Sequence, residues 1–349
     1  MSYFDRVVLN CLKSLNGERT IYSIYHLLKG KKTSQTIQDA HLFQLTPYFG
    51  VYSSITRDVF EAVINKQSEQ QWVISCGNQR YGLTKAGEEY LLQLSTQFPA
   101  PIYLNGLKFH QKDLRFWERL SLLVQVVSNL VNKETNYIPI QKNKETHSWV
   151  KSFLQKTKLG RNQFGIALYG ELAACLQVDN CLNPSILIFR LTGFKRIGQT
   201  SIQIAEMLNM TIVQYQLEFL NILHYLIEKV STSKNQFPLL YAILENLNEK
   251  TVMTNSSYKT YEMLKRGYSI EEVAEYRQLK TSTIEDHIVE IALNMVDFSI
   301  DSFVDQQKQK RIITAAEKTA SKQLKLIKNE VSAANYFEIR LVLAKHGVR

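Results

Sequence analysis

Residues 257–288 show the hydrophobic pattern of two short amphipathic helices joined by a tight turn. Ser269 and Glu272 have the spacing of a capping box, and Gly267 just before them suits the C-terminus of a preceding helix. The apolar positions of the second helix recur at i, i+4 and i+7: Ile284, Ile288 and Ile291. This spacing predicts one buried stripe along that helix. The segment is therefore predicted to form a helix-turn-helix.

The polar residues of the second helix do not decide whether it contacts DNA or packs on protein. The helix carries three acids and no Lys or Arg: Glu285, Asp286 and Glu290. Affinity for a DNA groove comes mostly from Lys and Arg that neutralise phosphates, so acids here disfavour DNA readout. Two interpretations stay open. Thr281, Ser282 and Thr283 would contact base edges in a DNA reader, or the helices pack on a neighbouring element or a protein partner.

The first ninety-odd residues have the element order of a winged helix. Apolar periodicity predicts helices around 3–15, 20–30 and 55–67. Two short β-prone runs then flank Gly77-Asn78, which is a hairpin signal, and a further helix is predicted from Leu83. Winged helices commonly bind nucleic acid, although some only dock proteins.

Length and turn signals divide the rest of the chain. A chain of 349 residues is expected to form about two to four packed units. We predict a mainly α, multidomain fold with a winged-helix-like domain at 1–97, a basic helical middle region at 98–250 and a helix-turn-helix domain at 256–349. Residues 199–230 repeat the pattern of the C-terminal motif, so either a second helix-turn-helix or a plain helical hairpin is expected there.

Charge points to an acidic partner. The formal net charge is +10, and nucleic acid is the commonest acidic partner of a basic chain. One basic segment, Lys108–Arg161, interleaves cations with aromatic residues, which suits either a single-strand groove or a helical core. A second, Lys308–Lys328, contains seven Lys or Arg and one acid.

Motifs of catalysis are missing from the sequence. Gly193, Gly198 and Thr200 stand at P-loop spacing, but Gln199 occupies the position of the phosphate-binding lysine. The cysteines show neither zinc-finger nor disulfide-framework spacing: Cys11, Cys76, Cys175 and Cys181. We therefore expect no enzymatic activity, cofactor, metal or small-molecule substrate. Without a long apolar run or signal-peptide pattern, we expect no membrane partner and a cytoplasmic, nucleoid-associated location.

Two separated motifs resemble known families. The run GYSIEEVAEYRQLKTSTIEDHI, followed by NYFEIRLVLA at 335–344, resembles the helix-turn-helix domain at the C-terminal end of RecQ-type helicases. The run HLLKGKKTSQTIQDAHLFQLTPYFG and the hairpin after it resemble the RecQ C-terminal winged-helix domain more loosely. That likeness is carried by a few positions: Lys29, Gly30, Lys31, Lys32, His41 and Gly50. The whole arrangement resembles the YpbB family of Gram-positive bacteria, which is encoded beside a short RecQ-like helicase.

The resemblance implies a function. It implies a non-enzymatic DNA-binding accessory protein of a RecQ-type helicase, acting in DNA repair or recombination on forked or single-stranded DNA. The phosphate contacts expected on this basis lie around the wing and in the basic helix: Lys29, Lys31, Lys32, Arg80, Lys308, Lys310 and Arg311. The alternatives are a sequence-specific transcription regulator and a protein-only interaction scaffold.

Overall fold

The structure, a computed structural model, describes residues 2–177, 182–247, 253–295, 297–319 and 324–347. Helices dominate these residues, and the strands among them form one two-stranded hairpin. The predicted mainly α, multidomain fold is confirmed. Cys11 and Cys175 are buried free thiols and Cys76 is an exposed one. Cys181 lies outside the described residues.

Two compact units divide the chain. Unit 1 contains Met1–Phe4 and Ser95–Glu249, and unit 2 contains Asp5–Leu94 and Lys250–Arg349. The predicted first and third domains therefore lie almost entirely within one unit, where the sequence had placed two separate domains. The physical reason is a shared polar interface between N-terminal and C-terminal helices, described below.

The N-terminal part of unit 2 is a helical bundle followed by a hairpin. Its elements are α1 (Tyr3–Leu15, which begins in unit 1), α2 (Ile21–Lys29), α3 (Ser34–Leu42), a 3₁₀ turn (Thr46–Tyr48), α4 (Arg57–Glu69), β1 (Val73–Ser75), β2 (Tyr81–Leu83) and α5 (Lys85–Gln97). The predicted helices around 3–15, 20–30 and 55–67 are present. Helix α3 is an addition that the hydrophobic pattern missed.

The predicted hairpin is also present. Its strands pair antiparallel, with Val73 opposite Leu83 and Ser75 opposite Tyr81. The loop between them holds residues 77–79 at positive φ, which matches the turn signal read from Gly77-Asn78. The backbone N–H of Ile21 donates to the carbonyl of Gln79 at 3.0 Å, so the loop is fixed to the start of α2.

The C-terminal part of unit 2 holds the helix-turn-helix. Its elements are α14 (Asn255–Lys265), α15 (Ile270–Arg277), α16 (Thr281–Asn294), α17 (Gln306–Thr319), α18 (Leu324–Glu330) and α19 (Tyr336–His346). The capping box of α15 forms as predicted, because Ser269 and Glu272 each bond the other's backbone. Ile284, Ile288 and Ile291 are fully buried, which confirms the predicted stripe.

Helix α16 joins the two ends of the chain within unit 2. Its Glu290 is fully buried, and Ser34 at the start of α3 donates a hydroxyl hydrogen bond of 2.6 Å to its carboxylate. Ser257 donates a second at 2.6 Å, and Thr254 donates through both its backbone N–H and its hydroxyl. Gln38 of α3 also donates to the backbone carbonyl of Asp286 at 3.2 Å. These bonds fix the register of α3 on α16.

Unit 1 is a helical unit with two long helices, of 20 and 21 residues. Its elements are α6 (Gly106–Phe109), α7 (Lys112–Val131), α8 (Lys144–Lys156), α9 (Arg161–Leu176), α10 (Ser185–Ile188), α11 (Ser201–Met207), α12 (Ile212–Thr232) and α13 (Pro238–Leu244). Helices α11 and α12 lie within 199–230 and contact each other, and a complete capping box forms between Thr200 and Gln203. Ten of the 21 residues of α12 are buried, including the run from Asn221 to Ile227.

Aromatic residues of the basic segment Lys108–Arg161 belong largely to the unit 1 core. Phe116 and Trp117 are buried, and Trp149 stacks on Phe153 with ring centroids 5.0 Å apart. The guanidinium of Arg119 lies 4.5 Å from the Trp149 ring centroid. Of the two interpretations of this segment, the structure therefore favours a helical core.

Replacing Glu290 should destabilise unit 2 selectively. The substitution Glu290→Ala leaves the hydroxyls of buried Ser257 and of half-buried Ser34 and Thr254 without their common acceptor, and we expect a loss of about 2–4 kcal/mol. Urea unfolding followed by circular dichroism measures it. Glu285→Ala on the same helix is the matched control, because Glu285 is only half-buried. Equal stability of the two variants would show that Glu290 is not a structural acceptor.

Candidate nucleic-acid interface

The helix-turn-helix is held together by a buried polar cluster. Arg277, at the end of α15, donates to the Ser256 carbonyl at 2.8 Å and to the hydroxyl of Thr260. Thr260 lies 2.9 Å from Nδ1 of His287, and Arg277 lies 3.4 Å from the same nitrogen. Because Arg277 can only donate, Nδ1 of neutral His287 is the acceptor. The cluster ties all three helices of the motif together.

Little of the second helix faces outward. From Ile284 onward α16 is mostly buried, and only Thr281 and Ser282 in its first turn are exposed, with Thr283 half-buried. Lys280 precedes the helix and its side chain makes no cap. A recognition helix must present several side chains to a groove, and α16 presents its body to α3, α14, α15 and α19 instead. The three predicted base-reading residues thus lie at one exposed end.

The acids of α16 have internal roles. Glu290 is the buried acceptor described above, and Asp286 forms an ion pair with Arg340 of α19. Arg340 also donates to the side-chain carbonyl of Gln38 at 3.4 Å. Burial raises the pKa of Glu285. The acids therefore reflect packing of α16 within unit 2 more than repulsion of a groove.

The predicted wing contacts divide into two groups. Lys29 is exposed at the end of α2, 5.5 Å from the Tyr25 ring centroid, and Lys31 is exposed in the next turn. Burial lowers the pKa of His26, and the charges of Lys31 and Lys29 lower it further, so these cations are close together. Lys32 follows them and is half-buried.

Arg80 lies apart from these lysines. It is exposed at the end of the hairpin loop, which is bonded to Ile21 at the start of α2. Lys29 is at the opposite end of that helix, roughly 12 Å away along its axis. The structure thus brings Lys29 and Lys31 together but does not bring Arg80 to them.

The cations of the basic segment Lys308–Lys328, which spans α17 and α18, also divide into two groups. Lys308 is bonded to Glu338 at 2.8 Å, and Lys328 donates to the carbonyls of Ser332 and Ala334 at 2.6 Å each. Both stabilise the fold of the C-terminal helices. Lys322 lies outside the described residues.

Three other cations of the segment, Lys310, Arg311 and Lys318, line an open groove of 380 Å³ between α17 and the α18–α19 connection. Its polar lining comprises Lys310, Arg311, Thr314, Lys318, Glu330 and Ser332. Lys310, Arg311 and Lys318 form no ion pair with any described residue. At about 100° per residue the α17 members fall within one arc of the helix that excludes Lys308. Sequence reasoning missed Thr314, Lys318 and Ser332, although this periodicity could have found the first two.

Two other kinds of site are absent from the described residues. Among them, no helix is long and apolar enough to cross a membrane. No group of three or more His, Cys, Asp or Glu in that part of the chain could hold a metal ion. The basic groove and the lysines after α2 are therefore the surfaces to compare with known proteins.

Comparison with known proteins identifies relatives for the whole chain. Residues 256–343 match a family described as a helix-turn-helix domain. Protein YpbB of Bacillus subtilis (strain 168) is 35% identical over 347 residues, which cover 99% of this chain and 98% of that protein. The chain belongs to the YpbB family. The predicted family is confirmed, and the YpbB relationship extends through both units.

No solved structure matches the chain. The helix-turn-helix match covers the basic groove as well as the motif itself, since Lys310 and Arg311 lie within 256–343. A domain of this class indicates DNA binding, and the YpbB family member described here carries it on the unit that also holds the hairpin.

Acid should weaken unit 2 through His287. Burial and then the charge of Arg277 lower its pKa below the ordinary value of about 6.5. As pH falls below about 6.5, the unfolded chain takes up a proton that folded His287 does not. The contribution of neutral His287 to the free energy of unfolding is therefore complete above about pH 6.5. It is lost as the pH falls toward the pKa that His287 has in the folded protein.

Urea midpoints measured between pH 7.5 and pH 5.5 test this expectation. The substitution His287→Gln keeps a side-chain acceptor for Thr260 and Arg277 but does not titrate. The variant should lose less stability on acidification than the natural protein. It should not lose all pH dependence, because burial also lowers the pKa of His26 and His41. An identical decline in both proteins would rule out His287 as a contributor.

Proposed function

We propose that this protein is a non-enzymatic DNA-binding protein that assists a RecQ-type helicase in DNA repair or recombination, on forked or single-stranded DNA. The observation that carries the DNA-binding part is the groove lined by Lys310, Arg311 and Lys318. It lies inside the matched helix-turn-helix domain, which is itself a class associated with DNA.

The groove suits the nucleic-acid backbone. Three cations without internal ion pairs supply the charge that phosphates require, and the hydroxyls of Thr314 and Ser332 add neutral donors. Such contacts position a strand and carry no sequence information. Lys29, Lys31 and Lys32 after α2, and Arg80 in the wing, are proposed as further phosphate contacts of the same kind.

The burial of α16 favours this proposal over sequence-specific regulation. Only the end of the helix is exposed, so Thr281, Ser282 and Thr283 could reach few base edges. Its long apolar face and two of its acids are engaged within unit 2. A protein-only scaffold gains no specific support, because the acid-bearing helix already has its partner in α3.

The helicase part of the proposal rests on resemblance. The segments 267–288 and 335–344 are similar to the domain at the end of RecQ-type helicases, and YpbB proteins are encoded beside a short RecQ-like helicase. The described elements of this chain contain no motor of their own. Both features fit a separate protein that binds the helicase and supplies DNA-binding helices to it.

Charge reversal in the groove tests DNA binding. We expect Lys310→Glu with Arg311→Glu to weaken binding of a fluorescein-labelled forked oligonucleotide by at least about 10-fold in low-salt anisotropy titrations. Lys151→Glu with Lys156→Glu is the matched control, since both lysines are exposed on α8 of unit 1. If the control loses as much affinity, or the natural protein does not bind at all, the groove is not the DNA contact.

A pull-down tests the helicase partner. The tagged protein should retain the RecQ-type helicase of the same organism, before and after nuclease treatment, because a direct contact does not need a DNA bridge. The groove double variant should retain it equally. Loss of the helicase after nuclease treatment would mean that DNA alone connects the two proteins, and the accessory role would then lack its direct contact.

A further inference from the structure

Exposed cations follow one another along α8 of unit 1 and the residues that flank it. The six members of this group, called the α8 cations below, are Lys142, Lys144, Lys151, Lys156, Lys158 and Arg161. None of them forms a salt bridge or a side-chain hydrogen bond with any residue that the structure describes. Their charges are therefore available to a partner.

Few acids lie near the α8 cations. Glu145 is the one acid among residues 142–161, and it is exposed. Beneath the start of α8, the carboxylate of Glu118 on α7 accepts from the side chains of Asn143 at 3.0 Å and Thr146 at 3.1 Å. Glu118 thus holds α8 in place. Even when both acids are counted, the surface keeps a clear excess of positive charge.

The lysines of α8 also lack partners along their own helix. An acid three or four residues from a cation forms a stabilising pair on a helix surface, as Glu61 does with Arg57 on α4. No acid stands at these spacings from Lys144, Lys151 or Lys156. The helix therefore does not neutralise its own charge, and carboxylates of another molecule can do so.

Exposed apolar side chains follow directly after these cations. Leu159 stands between Lys158 and Arg161 in the sequence and is 43% exposed. Ile166 and Tyr169 on α9 are 73% and 75% exposed. At about 100° per residue they share one face of α9, and this face carries no charged residue. A cationic surface is thus followed by an apolar one.

We propose that the α8 cations, together with Leu159, Ile166 and Tyr169, bind an acidic segment of a partner protein that also carries apolar residues. Its carboxylates pair with the cations, and its apolar side chains remove Leu159 and Ile166 from water. The inference goes beyond DNA binding, and it rests on the proposed function only where the RecQ-type helicase is taken as the partner.

The placement of rings and aliphatic side chains favours a protein over a nucleic acid. A single strand needs exposed rings among the cations, on which its bases can stack. Trp149 and Phe153 of α8 instead stack on each other and pack against the core of unit 1. Tyr169 is exposed, but its face of α9 has no cation for a neighbouring phosphate. An aliphatic side chain such as Ile166 gains from burial against protein and gains nothing from a phosphate backbone.

Charge reversal on α8 tests the inference in the full-length protein. The probe is a labelled peptide of about 14 residues, similar in length to α8, with Glu on one helical face and Leu on the other. We expect Lys151→Glu with Lys156→Glu to weaken its binding by at least about 5-fold in low-salt anisotropy titrations, because two attractions become repulsions. The same variant should still bind forked DNA, which also shows that it is folded.

The groove variant of unit 2 is the matched control. Lys310→Glu with Arg311→Glu reverses two cations elsewhere and should leave peptide binding unchanged. Equal loss in the two variants, or no peptide binding by the natural protein, would overturn the inference. If reversal on α8 instead lowers the affinity for forked DNA, the surface is a nucleic-acid contact and the inference is also overturned.

A second pair of substitutions measures the apolar contribution. Ile166→Ser with Tyr169→Ser should lower the affinity for the peptide that contains Leu, but not the affinity for an oligo-glutamate of equal charge. Equal affinity of the natural protein for the two peptides would show that the apolar side chains are not part of the site, contrary to the inference.

Zero-length crosslinking examines the helicase as the partner. A carbodiimide joins lysine ammonium groups to carboxylates that contact them. With the purified RecQ-type helicase of the same organism, crosslinks should form at Lys144, Lys151 or Lys156. Crosslinks confined to lysines outside the α8 cations would overturn the inference and leave the helicase contact in place. A helicase that does not bind would contradict the proposed function, and the peptide titrations then decide the inference.

Discussion

The buried carboxylate of Glu290 is the contact on which the architecture of unit 2 depends. A carboxylate removed from water is strongly destabilising unless several donors replace its hydration. Here the donors are Ser257 and Thr254 beside it and Ser34, which lies 256 residues earlier in the sequence. All of these donors bond the Glu290 carboxylate together only when the N-terminal and C-terminal helices of unit 2 are in contact. The hydrogen bond between Ser34 and Glu290 therefore closes the chain between them into a loop. The conformational entropy lost on closing such a loop grows only slowly with the length of the loop.

The same burial separates the shape of the helix-turn-helix from its ligand. In many DNA readers the second helix keeps one face free for the major groove. In this protein α16 uses that length to pack on α3, and Arg340 holds Asp286 in the interface. The fold of the motif is retained because its caps and apolar stripe serve packing alone. Cations that form no ion pair with a described residue lie outside the motif, on α17.

Local interactions of the fold could be predicted from the sequence, and long-range ones could not. The capping box of Ser269 and Glu272 and the hairpin signal at Gly77-Asn78 involve neighbours within a few residues, so their spacing is visible. Helix α3 was missed because its sequence, SQTIQDAHL, has few apolar residues and buries Gln38 and Asp39 against other segments. Glu290 was counted as a surface acid for the same reason. Its burial depends on Ser34, and no local pattern connects the two positions.

The net charge of this protein does not show which of its cations are available to a ligand. The net charge of +10 suggests a broadly cationic protein. Within the basic segment Lys308–Lys328, however, Lys308 forms an ion pair with Glu338, and Lys328 donates to carbonyls in the α18–α19 connection. The electrostatic contribution to DNA binding scales with the number of phosphates that free cations neutralise, and not with net charge. The three cations of the α17 groove would neutralise about three phosphates. Any DNA affinity beyond that would require contacts other than these three cations.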